Sequence, residues 1–117
     1  MKRDFDLIRI ILIKAEEESK PGTWYCPVVD GYDDEIVTHH IKLLGDKGYL
    51  KIKDLSSKDG FDYRIIGITM EGYDYLDAVR RDTVWNKTKE MVKSKSLDLS
   101  FEVIKSAASS VITSMLS

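Results

Sequence analysis

The sequence predicts an α+β fold in which a helix, a short strand, a second helix and a β-hairpin are followed by two additional C-terminal helices. Three observations carry that prediction. Residues 33–52, DDEIVTHHIKLLGDKGYLKI, run from an amphipathic stretch through glycine into a β-prone run. YLKIKDL (49–55) and FDYRIIGI (61–68) flank SSKDG, whose residues favour a tight turn. Beyond Thr69 the apolar positions return to helical spacing.

At the start, RDFDLIRIILIKAEEES (3–19) reads as a helix capped by Asp4, with Ile8, Ile11, Leu12 and Ala15 on one stripe. Ile10 and Ile13 fall off that stripe and need a second surface or a partner to cover them. Pro21 and Gly22 stop the helix, and Trp24, Tyr25, Val28 and Val29 then form a β-prone run. Pro27 has no N–H to donate, which makes that run an edge strand. In the second helix Asp33 is the expected N-cap, and Asp34 and Glu35 complement the positive end of the dipole. Ile36, Val37, His40, Ile41 and Leu44 should face the core, with His40 hydrogen-bonded there. Thr38, His39, Lys42 and Asp46 should face water, and Gly48 suits a left-handed helix end.

Thr69 can cap a helix starting MEGYDYLDAVRRD, with Tyr73, Leu76 and Val79 inward. That helix either continues to about Lys95 or restarts at Asp82 and Thr83. The last helix fits 101–116, capped by Ser100 and stapled by Leu99 onto Ile104. Its stripe is Phe101, Ile104, Ala108, Val111, Ile112 and Met115. A helix that ends in glycine and feeds a two-stranded hairpin is the winged-helix arrangement. The 117 residues fit one domain, with 1–69 as a winged-helix-like core and 70–117 as a helical extension.

Four stretches, MKRDFDLIR, THHIKLLGDKGYL, ITMEGYDYLDAVRRDTVWNKTKE and LSFEVIK, together resemble one family of bacterial and phage proteins. That family is a domain of unknown function, frequent in prophage regions. LLGDKGYLKI followed by ITMEGYDYL is also similar to the reading-helix, wing and next-helix junctions of winged-helix regulators. The resemblance implies a regulatory context and adds no catalytic residue. The chain departs from a standard helix-turn-helix, because only residues 20–32, with two prolines and two glycines, separate the first helix from Asp33.

A composition of 43% apolar and 32% charged residues is that of a globular chain. The lone Cys26 forms no internal disulfide and points to a reducing compartment, so the cytoplasm is the expected location. The apolar run Leu7–Ile13 is broken by Arg9 and is too short to span a bilayer, so no membrane partner is expected. The net charge of −2 conceals an asymmetry: residues 1–79 carry −5, whereas RRDTVWNKTKEMVKSK (80–95) carries +4. An anionic partner would therefore meet the 80–95 segment first.

Duplex DNA is the partner expected from this pattern. Its contacts are Thr38, His39 and Lys42 on the second helix, Lys51, Lys53 and Lys58 on the hairpin, and Arg81, Lys87 and Lys89 beyond. Two features weigh against it. Residues 33–64 hold six basic and seven acidic side chains, whereas phosphate neutralisation supplies most non-specific affinity. Asp33, Asp34 and Glu35 also occupy the helix end that normally approaches bases. Trp85 sits inside the stripe Arg81, Lys89 and Lys93, either as an aromatic platform or packed on the core. The alternative is an interaction or homodimerisation module using Ile10, Ile13 and the tail positions Ala107, Val111 and Met115.

Enzymatic patterns are missing from this reading. Adjacent His39 and His40 project about 100° apart on a helix and cannot share one ion in the usual manner. Cys26 has no CxxC partner and no glycine-rich phosphate loop exists, so no metal, cofactor or catalytic residue is expected.

Overall fold

The computed structural model describes residues 2–116. The chain divides into two compact units, Met1–Tyr73 and Asp74–Ser117. The elements follow the expected α+β order, with five helices and one two-stranded antiparallel sheet among the described residues.

Helix α1, Phe5–Glu18, begins where the Asp4 carboxylate accepts the Leu7 N–H at 3.0 Å. Its spacing buries Leu7, Ile8, Ile11, Leu12 and Ala15 completely, and each large side chain so buried contributes about 1.5–3 kcal/mol. Residues 20–32 form no helix, so the chain lacks the second helix of a helix-turn-helix there. The expected edge strand shrinks to one bridge: Tyr25 donates to the Ile65 carbonyl at 3.1 Å and accepts from its N–H at 2.8 Å. Pro27, two residues on, has no N–H with which to extend the ladder.

Helix α2, Asp34–Lys47, buries Val37, His40, Ile41 and Leu44, while Ile36 is only half-buried. Asp33 occupies the cap position through its backbone alone. Its carbonyl accepts the Val37 N–H at 3.1 Å and its side chain makes no capping bond, so Asp34 and Glu35 are left to complement the dipole. Gly48 ends the helix at φ +85°, where the Tyr49 N–H returns to the Leu44 carbonyl at 2.9 Å.

Strands β1, Leu50–Asp54, and β2, Tyr63–Ile68, pair in antiparallel register with Ile52 opposite Ile65 and Lys53 opposite Arg64. A bulge between Lys51 and Ile52 leaves Ile66 as the extra residue. Alternation then sorts the side chains: Leu50, Tyr63 and Ile65 are buried, and Lys51, Lys53 and Ile66 face solvent.

Thr69 joins the end of α2 to helix α3, Met70–Val79. Its hydroxyl donates to the Gly48 carbonyl at 2.6 Å and accepts the Gly72 N–H at 3.1 Å. A side chain at Gly72 would overlap the Tyr49 carbonyl oxygen, which requires glycine at that close approach. Tyr75, not Tyr73, is buried with Leu76 and Val79. Tyr75 lies four residues before Val79 and so shares its face more closely than Tyr73 does.

The 70–95 stretch takes the restart at Asp82 rather than the continuous helix. Arg81 is extended at ψ 132° and caps helix α4, Asp82–Ser94. Helix α5, Phe101–Leu116, starts where the Ser100 hydroxyl accepts the Val103 N–H at 3.1 Å. The two helices pack together through Val84, Trp85, Thr88 and Val92 on α4 and Phe101, Ile104, Ala107, Ala108 and Val111 on α5. The Tyr75 ring meets Phe101 edge-on at 5.3 Å.

Candidate nucleic-acid interface

The water-facing side of α2 is largely engaged within the protein. The Cys26 thiol donates to the Pro27 carbonyl at 3.8 Å, and burial raises its pKa, an effect partly offset by the neighbouring Thr38 hydroxyl. Lys42 reaches Asp46 at 2.6 Å and lies 5.6 Å from the Tyr63 ring centroid. The Asp46 hydrogen bond raises the Lys42 pKa, as expected for a held ammonium. His39 is half-buried, and burial, followed by its neighbour His40, lowers its pKa. With Asp33, Asp34 and Glu35 exposed at its leading end, α2 offers bases little.

The hairpin is different. Lys51 and Lys53 leave β1 on the solvent-facing side, and Lys58 is exposed in the loop that follows. Three nearby carboxylates are held locally, whereas Asp59, beside Lys58, makes no ion pair among the described residues. Asp46 is taken by Lys42, Asp54 accepts the Ser56 N–H at 2.9 Å, and Asp62 pairs with Arg64 at 3.2 Å. The bonds to Ser56 lower the Asp54 pKa, and the Asp62 bond raises that of Arg64. Lys51, Lys53 and Lys58 make no ion pair among the described residues.

Trp24 joins this surface, and the sequence reading missed it as a site residue. Tyr25 bridges to β2 and sends its hydroxyl inward to the Lys14 carbonyl at 2.9 Å. Alternation therefore turns Trp24 outward, where it is 49% exposed with Lys53 Nζ 5.9 Å from its ring centroid. The available signal was the inward requirement of Tyr25.

In the second unit Trp85, Lys89 and Lys93 keep their four-residue spacing along α4, with Arg81 at its N-cap. Trp85 is buried, so it is a packing residue and not a stacking platform. Lys89 Nζ lies 5.5 Å from the centroid of that ring. Lys87 and Lys89 leave α4 about 160° apart, on opposite flanks of its buried face. Arg81 borders a pocket of about 260 Å³ with Asp77, Val84, Ile112 and Met115. Ala107 and Val111 are buried, which removes them from the apolar partner surface expected on the tail and leaves Met115 and Leu116 exposed. Ile10 and Ile13 are half-buried. The structure thus places Thr38, His39, Lys42, Lys51, Lys53 and Lys58 in the first unit and Arg81, Lys87 and Lys89 in the second.

Among the described residues no group of three or more His, Cys, Asp or Glu side chains could hold a metal ion. None of the described helices is long and apolar enough to cross a membrane.

Comparison with known proteins gives a consistent assignment. The family model described as hypothetical protein DUF2513 matches residues 2–98. An uncharacterized protein of Haemophilus influenzae (strain ATCC 51907 / DSM 11121 / KW20 / Rd) is 43% identical over 117 residues, covering 99% of each chain. No solved structure matches.

Proposed function

The chain belongs to the DUF2513 family of hypothetical proteins, and from that premise we propose that it is a non-enzymatic, winged-helix-like regulatory domain that contacts duplex DNA through its hairpin. One observation carries the reading: Lys51, Lys53 and Lys58 project from the hairpin without ion pairs among the described residues, while Asp46, Asp54 and Asp62 are engaged. Three available ammonium groups on a two-stranded ribbon suit the phosphate backbone. The acidic leading end of α2, the position of Thr38 beside Cys26 and the engagement of Lys42 favour phosphate contact over base reading. The resemblance of four stretches to a family of bacterial and phage proteins favours a prophage-type regulatory setting.

The test is binding to random-sequence duplex DNA across a salt series. Neutralising three phosphates gives a slope of log affinity against log salt of about −2.7. The pair Lys51→Glu and Lys58→Glu should remove most of that slope, whereas Lys87→Glu with Lys89→Glu should leave it. Affinity that is absent at low salt, or carried by Lys87 and Lys89, would overturn the proposal.

A further inference from the structure

The same unit contains a second surface of opposite character. A cleft of about 690 Å³ lies between residues 24–28, the start of α2 and the hairpin loop. Its apolar lining is unusually open to water: Trp24 is 49% exposed, Val28 75%, Leu55 37% and Phe61 80%. Clustered apolar exposure of this kind marks interaction surfaces in soluble domains. Phe61 is already oriented, since its ring stacks on Tyr63 at 6.2 Å and 12°, which lowers the entropy lost when a partner binds.

The charge of the cleft sets the chemistry of that partner. Asp34, Asp59 and Asp62 line it, and its one cation, Arg64, is held by Asp62. Asp34 from α2 and Asp59 from the hairpin loop make no ion pair among the described residues, so the cleft is net negative, with exposed aromatic and aliphatic side chains along its rim. Phosphate would be repelled here, whereas a chain carrying cationic and large apolar side chains matches both features. We propose that this cleft docks a segment of a partner protein in which arginine or lysine stands beside large apolar residues. The apolar side chains would lie between Trp24 and Phe61, and the cations would meet Asp34 and Asp59.

Trp24, with Lys53 against its ring, borders both surfaces, so the test substitutes residues that belong to only one of them. A fluorescently labelled peptide of alternating arginine and leucine is titrated with the full chain and followed by anisotropy. Controls are peptides of alternating glutamate and leucine and of alternating arginine and serine. Saturable binding of the arginine–leucine peptide alone is expected. Phe61→Ala should weaken it about tenfold, as truncation of an aromatic anchor does. Asp34→Asn with Asp59→Asn should weaken it about three- to tenfold, the range for two partly exposed ion pairs. Lys51→Glu with Lys58→Glu should not weaken peptide binding, since added carboxylates favour a cationic peptide, while removing most of the salt-dependent DNA binding. Equal binding of the glutamate–leucine peptide, no saturable binding of the arginine–leucine peptide, or indifference to both sets of cleft substitutions would each overturn the proposal. Thermal melts of the variants, all at exposed positions, show whether the fold is retained.

Discussion

The backbone N–H of Asp4 donates to Nε2 of His40 at 2.9 Å, tying the first turn of α1 to the middle of α2. Because Nε2 accepts, the hydrogen of a neutral ring must sit on Nδ1, which meets the Ile36 carbonyl at 2.8 Å. The Tyr32 hydroxyl adds a bond to the Asp4 carboxylate at 2.8 Å. Asp4 is therefore a helix cap, an anchor for the 20–33 segment and the partner of a buried histidine. His40→Ala leaves the Asp4 N–H unpaired and opens a cavity, and should cost about 2–4 kcal/mol. Urea unfolding measures it, and a loss within experimental scatter would contradict the structural role.

Gly72 provides a second stability test. A Cβ there would overlap the Tyr49 carbonyl oxygen, which already accepts the Thr69 N–H at 3.1 Å. Relief by backbone movement would break that bond, so Gly72→Ala should destabilise by about 1–3 kcal/mol. Helix propensity alone predicts the opposite, a gain of up to about 1 kcal/mol for alanine over glycine. The sign of the measured change separates close packing from propensity.

His39 makes stability depend on pH in a definite direction. Burial and the neighbouring His40 lower its pKa, so the unfolded chain binds a proton more readily than the folded one. The stabilising difference is present above the unfolded value, about 6.5, and is lost as pH falls from there through the folded value. His39→Gln should flatten the fall in the urea midpoint between about pH 7 and pH 5. An unchanged profile in the variant would assign the acid sensitivity to other groups.

What the sequence made legible was mostly local. The α1 stripe, the Asp4, Thr69 and Ser100 caps and the left-handed Gly48 depend on spacing over a few residues, and each is present. The hairpin followed from alternation and turn chemistry. Tyr73 was placed inward because a three-residue spacing approximates a helical face, but tertiary packing selected Tyr75. The candidate surface was legible only in composition. Counting seven carboxylates against six cations over 33–64 treated every charge as equivalent. Their geometry assigns Asp46 to Lys42, Asp54 to Ser56 and Asp62 to Arg64. Trp24 escaped notice because its exposure follows from a single bridge at Tyr25, a contact 40 residues away in the chain.

Lys42 decides which element leads if DNA is bound. Its ammonium is 2.6 Å from Asp46 and lies against Tyr63, so using it on a phosphate would first require breaking an existing charge-assisted bond. Hairpin-led binding predicts that Lys42→Ala keeps the salt slope unchanged and affinity within about twofold. A helix that reads the groove predicts instead a slope smaller by about 0.9, the share of one phosphate contact. Thr38→Val is the companion measurement, since its hydroxyl neighbours Cys26 and should be silent in DNA binding while altering thiol alkylation. Sensitivity of the salt slope to Lys42, together with indifference to Lys51 and Lys58, would move the interface from the hairpin to α2.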